Sequence, residues 1–123
     1  MKYLRTGLHE FETAEELQKF IQENENVMVC TGRMGPMCIP VYGIMEELEE
    51  EDKYSHVKFA VMAFDSPEAY IVRNDPKCAS FMGLPFTMYY KNGKTAHATS
   101  SIQSMDMVTS VLDREFAPAG VEK

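Results

Sequence analysis

Two rhythms of apolar residues run along this chain, one at helical spacing and one of short continuous runs, and their order outlines the architecture. Thr13 with Glu16 three residues later has the form of a capping box, and Leu17, Phe20 and Ile21 follow at helical spacing. The spacing predicts a helix over residues 14–23, broken by Asn24-Glu25-Asn26. Val27-Met28-Val29-Cys30 is apolar at every position, as a central strand covered on both faces requires. A second helix opens near Pro40; Val41, Ile44, Met45 and Leu48 form its buried stripe, while Glu46, Glu47, Glu49, Glu50 and Glu51 face water. Residues 57–64 form another nearly continuous apolar strand, ended by Asp65-Ser66-Pro67. A short helix is expected over 69–73 and stops at Asn74-Asp75-Pro76. Residues 86–90 and 95–99 flank Lys91-Asn92-Gly93-Lys94, and Asn-Gly tolerates the positive φ angles of a tight hairpin. Ser104 caps a last helix that buries Val108, Val111, Leu112 and Phe116. A short first strand is expected near residues 3–8, and the tail 117–123 is expected to fray.

Alternation of strand and helix produces a parallel section, and the hairpin adds antiparallel strands. The expected fold is therefore α/β: a mixed central sheet of four to five strands with helices on both faces. Residues 1–123 form one domain with its core over about 11–116. Hydrophobic residues make up 45% of the chain and charged residues 25%, enough for a core and too few charges for a disordered chain. The net charge of −7 argues against nucleic acid or an anionic membrane surface as partner. The N-terminus has no apolar leader region, and the longest apolar runs are too short to span a bilayer. Three cysteines, an odd number, disfavour a disulfide framework and suit a reducing compartment, so cytoplasm is the expected location.

Candidate chemistry gathers at Arg33-Met34-Gly35-Pro36-Met37-Cys38. Cys38 stands where the second helix opens, and free N–H groups with the helix dipole stabilise a thiolate in such a place. Against that stands a buried, inert cysteine, because free Cys is among the most buried residue types. Thioether and thiolate sulfurs favour Cu(I), so Met34, Met37 and Cys38 form a weaker soft-metal candidate. His9, His56 and His97 are scattered, and core or contact methionine is the plainer reading for a chain with ten of them. The acidic run 46–52 reads as a solvated helix face and exit rather than a metal cluster. No Ser-His-Asp set, phosphate loop or zinc spacing can be assembled, and nothing calls for a cofactor.

Four landmarks in order make the chain resemble the thioredoxin family. Val27-Met28-Val29-Cys30 leads into Met34-Gly35-Pro36-Met37 as the family's strand leads into Cys-Gly-Pro-Cys. Phe64-Asp65-Ser66-Pro67 is similar to its Val-Asp-x-Asn-Pro, and Met82-Gly83-Leu84-Pro85-Phe86 to its Arg-Gly-Ile-Pro-Thr. Tyr90-Lys91-Asn92-Gly93-Lys94 resembles its Phe-Lys-Asn-Gly-Lys. The resemblance implies the thioredoxin fold over about residues 11–116. It also implies departures: the family's buried Asp falls on Met28, its two tryptophans on Cys30 and Arg33, and its two cysteines on Met34 and Met37. Aligned through the helix instead, with one extra residue, Cys38 takes the second-cysteine position; both registers remain open.

A thioether can neither attack a disulfide nor resolve a mixed one. The resemblance thus implies a thioredoxin-like protein without the general dithiol pair. It would bind a protein or peptide at Met34, Gly35, Pro36, Met37, Met82, Leu84 and Pro85, beside a cis Leu84-Pro85 bond, in the manner of an added β-strand. Cys38 is the candidate single redox thiol. The alternative is an atypical thiol-disulfide oxidoreductase using Cys38, with or without Cys30. On the family's template Cys30 lies beside the loop, and Met82 would join the sulfurs there. The same sulfurs keep the Cu(I) alternative open.

Overall fold

A computed structural model describes Leu4, residues 6–76 and residues 83–116. Its elements run β1 (His9–Glu10), α1 (Ala14–Glu23), β2 (Asn26–Gly32), α2 (Ile39–Glu49), β3 (Lys58–Ala63), α3 (Tyr70–Arg73), β4 (Phe86–Lys91), β5 (Lys94–Ser100) and α4 (Met105–Glu115), with 3-10 turns at Asp52–Tyr54 and Pro67–Ala69. The strands form one five-stranded sheet in the order β1-β3-β2-β4-β5. β3 is parallel to β1 and β2; β4 is antiparallel to β2 and β5 to β4.

The central strand β2 is buried along its whole length, and its alternate side chains feed two cores. Met28 and Cys30 point into one core with Val41, Tyr42, Met45 and Leu48 of α2, Val108 and Leu112 of α4, and Phe116 just after it. Val27 and Val29 point into the other with Leu17 and Ile21 of α1, Ala69 and Val72. Helices therefore cover both faces, as the uninterrupted apolar run of β2 demands.

Local chemistry sets the element ends. The Glu16 N–H donates to the Thr13 hydroxyl oxygen at 3.1 Å, capping α1, and the Met107 N–H donates to Ser104 Oγ at 3.2 Å, capping α4. Asn92 and Gly93 take φ of 54° and 81°, the left-handed pair that joins β4 tightly to β5.

Three expectations need correction. The first described strand lies at His9–Glu10 rather than near 3–8: residues 6–8 form a bend in which the Leu8 N–H donates to the Thr6 hydroxyl oxygen at 3.1 Å, and residues 3 and 5 lie outside the described residues. Tyr42, not Ile44, fills the buried stripe of α2, and Ile44 is half-buried. Glu46 is half-buried as well; its carboxylate accepts from the Gly7 N–H. The tail 117–123, Cys78 and Met82 lie outside the described residues. Among the described residues, no helix is long and apolar enough to cross a membrane.

Candidate functional site

The site forms where β2 and β3 end together and α2 begins. The Phe64 N–H donates to the Gly32 carbonyl at 2.8 Å, tying the two strand ends, and the chain then leaves β2 through Arg33-Met34-Gly35-Pro36-Met37. The Cys38 and Ile39 N–H groups donate to the Gly35 carbonyl at 3.1 and 3.0 Å, so the loop winds directly into α2 with Cys38 at its N-cap. Pro40 sits in the first turn, where its missing N–H costs nothing.

Cys38 continues the buried stripe of Val41, Tyr42, Met45 and Leu48, whereas Met37 does not. The register that the loop and helix left open in the sequence thus falls in favour of Cys38 as the inward residue. Its side chain is only 3% exposed, and its Sγ accepts from the Arg33 N–H at 3.4 Å. Gly32 makes room for it. A Cβ on Gly32 would come within 2.7 Å of the Tyr42 hydroxyl, 2.8 Å of Cys38 Sγ and 3.3 Å of Pro85 Cβ. The Tyr42 hydroxyl donates to the Arg33 carbonyl at 2.9 Å, holding the loop's first residue over this cluster.

Cys30 lies two residues before Gly32 on the same strand face, fully buried, in the core that also holds Cys38. Both cysteines are free thiols. Burial pushes the Cys30 thiol up to about 12; the Thr87 hydroxyl works against that, and Cys38 adds a smaller rise. A thiol so raised is protonated at neutral pH and has no nucleophilic form to offer. Burial likewise raises the Tyr42 phenol, with both cysteines adding to the rise.

Above this layer runs an open groove of about 440 Å³ lined by Arg33, Gly35, Pro36, Met37, Cys38, Phe64, Gly83 and Leu84. Met34 and Met37, on either side of Gly35-Pro36, are 38% and 44% exposed. On the far wall the Leu84-Pro85 peptide bond is cis, and the Ser101 N–H donates to the Gly83 carbonyl at 3.0 Å, pinning that segment to the end of β5.

The near wall is braced by charge. Arg33 Nε and Nη2 donate to the two carboxylate oxygens of Asp65 at 2.8 and 2.9 Å, a bidentate pair that holds the Asp65 carboxyl below its usual range. Arg73 of α3 reaches back to donate to the carbonyls of Phe64, Ser66 and Pro67 at 2.9, 3.0 and 3.3 Å. Sequence reasoning did not single out Arg73, Asp65 or Tyr42 as parts of the site. The Arg73 contact is visible only once α3 is folded back onto the turn after β3.

The structure therefore brings together Gly35, Pro36, Met37, Cys38 and Leu84 at the groove, with Pro85 behind it and Met34 on the exposed loop. Among the described residues, no three His, Cys, Asp or Glu side chains gather to hold a metal ion. The sulfurs suggested for Cu(I) are divided, with Met34 and Met37 exposed and Cys38 beneath them.

No protein-family model matches the sequence, nor does any curated protein. Solved structures do match in shape. Thioredoxin f2 of Chlamydomonas reinhardtii superposes with a TM-score of 0.73 at 14% identity, over 91% of this chain and 99% of that one. Oxidised thioredoxin of Plasmodium falciparum gives 0.71 at 19% identity, over 90% and 100%. Thioredoxin of Trypanosoma brucei brucei gives 0.69 at 18%, over 93% and 95%. A mixed five-stranded sheet with helices on both faces, matched over nearly the full length of these proteins, defines the class: the chain has the thioredoxin fold.

Proposed function

We propose that this thioredoxin-like protein has lost general dithiol exchange and holds an extended, apolar segment of a protein or peptide in the groove between Met37 and Leu84. The observation that carries this reading is the sorting of sulfur by chemistry. Among the described residues, the exposed sulfurs at the groove are thioethers, which cannot exchange with disulfides, and the thiols of Cys30 and Cys38 are buried. Thioethers are flexible and polarisable, and serve well as an adaptable apolar contact surface. Free Cys30 and Cys38 suit a reducing compartment such as the cytoplasm.

One observation favours a second reading. Cys38 touches the groove and stands at a helix N-terminus, so it could form a mixed disulfide with a partner thiol if the loop opened.

The two readings separate in an insulin-reduction assay with dithiothreitol, run with wild type and Cys38→Ser. The groove reading expects no turnover above the dithiothreitol background in either protein. It further expects that, on an array of immobilised thiol-free octapeptides, wild type is retained by apolar members and Met37→Lys is not. Turnover lost with Cys38→Ser would establish the oxidoreductase instead. Retention untouched by Met37→Lys would remove the groove.

A further inference from the structure

The loop places a thioether on each side of Gly35-Pro36, and only one of the two, Met37, forms part of the groove wall. Met37 is 44% exposed and so within reach of small oxidants, whereas Met28, Met45, Met62 and Met88 are fully buried in the two cores. We propose that Met37 is a modification site: oxidation of its thioether to the sulfoxide converts the groove wall from apolar to polar and releases what the groove holds. This rests on the groove's occupant being apolar, as argued above.

The oxidant is a peroxide. A lone pair on the Met37 sulfur attacks one oxygen of hydrogen peroxide; an S–O bond forms, the O–O bond breaks, and the hydroxyl proton passes to the departing hydroxide. The products are one sulfoxide and one water, with sulfur oxidised by two electrons and peroxide reduced by two. A methionine sulfoxide reductase reverses the step, with thiols as the electron source. The sulfoxide oxygen is a strong acceptor, and an apolar segment laid over it would leave it without a partner. Cysteine at the same position would cross-link or over-oxidise; methionine changes polarity alone.

The protein contains its own control. Met107 is 50% exposed, but it lies outside the groove wall, and its Sδ accepts from the Ser104 N–H at 3.5 Å at the start of α4. Its oxidation has no route to the groove's polarity.

The test treats wild type with hydrogen peroxide, maps sulfoxides by peptide mass spectrometry, and measures octapeptide retention on the same samples. Met34, Met37 and Met107 are expected to gain oxygen before the four buried methionines. Retention should fall about tenfold in proportion to Met37 sulfoxide, the effect of burying one unpaired polar group, and return with the reductase. A Met34→Leu/Met107→Leu variant, which keeps Met37 as the one methionine exposed among the described residues, should lose retention as wild type does. Met37→Leu should show no change relative to its own untreated state. Met37 remaining reduced after Met107 is fully oxidised would overturn the proposal, and so would a peroxide-dependent loss in Met37→Leu equal to that of wild type. If untreated wild type retains no octapeptide, the groove reading fails and this inference falls with it. If retention survives complete Met37 oxidation, this inference alone falls.

Discussion

The rim of the groove and the layer beneath it both carry sulfur, and they differ in every property that matters for exchange chemistry. On the rim, Met34 and Met37 are exposed, but a thioether has no thiolate form with which to attack a disulfide. Below, Cys30 and Cys38 have the right atom but lie buried, Cys38 behind an Arg33 N–H contact and Cys30 with its thiol held protonated by burial. In an active dithiol loop, exposure and thiolate chemistry coincide on one residue. Here, among the described residues, exposure and thiol chemistry lie on different residues around a braced groove.

The sharpest way to break that contrast is to truncate one methionine from each layer. Met28→Ala deletes a fully buried side chain of the α2-facing core and should cost about 2–5 kcal/mol in urea unfolding, whereas Met34→Ala should stay within about 0.5 kcal/mol of wild type. Equal losses would mean that the loop is part of the core and not a surface laid over it.

Gly32→Ala is the next largest. Its Cβ would press on the Tyr42 hydroxyl, Cys38 Sγ and Pro85 at once, so a loss of about 1–3 kcal/mol is expected. Displacement of Cys38 should also make one more thiol of the native protein reactive toward a disulfide reagent than in wild type. A Gly32→Ala protein with wild-type stability and an unreactive Cys38 would contradict the close packing described here.

The smallest effect is a slope. The Cys30 thiol sits at about 12 in the folded protein against 9.0 for a free thiol, so between these values the unfolded chain has released a proton that the native state retains. The Cys30 contribution is therefore present in full below pH 9 and is lost as pH rises toward 12, at up to about 1.4 kcal/mol per pH unit. The buried Tyr42, Tyr89 and Tyr90 phenols, raised by desolvation, add losses of the same sign from pH 10 upward. Urea midpoints at pH 8, 9 and 10 should drop less steeply for Cys30→Ala than for wild type. Identical slopes would place Cys30 in contact with water.

Much of the fold was legible because its signals are local. The Thr13 and Ser104 caps, the unbroken apolar β2 and the Asn92-Gly93 hairpin each specify their own element through backbone chemistry within a few residues. The site was legible only in part. The loop's landmarks fixed the end of the sheet at which it forms, but whether Met37 or Cys38 turns inward depends on how α2 docks on β2. That choice turns on Gly32 leaving room for a sulfur and on Tyr42 filling the stripe position expected of Ile44. The bracing of the near wall by Arg73 and Asp65 was hidden for the same reason, since it joins β3, its turn and α3 through contacts with no sequence period. The first strand, expected near residues 3–8, lies at His9–Glu10, after a bend over residues 6–8 that no apolar period marks.

The separation of exposure from thiol chemistry is tested most directly by the insulin-reduction assay with dithiothreitol, comparing wild type, Cys38→Ser and Cys30→Ala. All three should match the dithiothreitol background. Turnover by wild type that disappears in Cys38→Ser would show that the buried thiol reaches substrate, and would contradict the account.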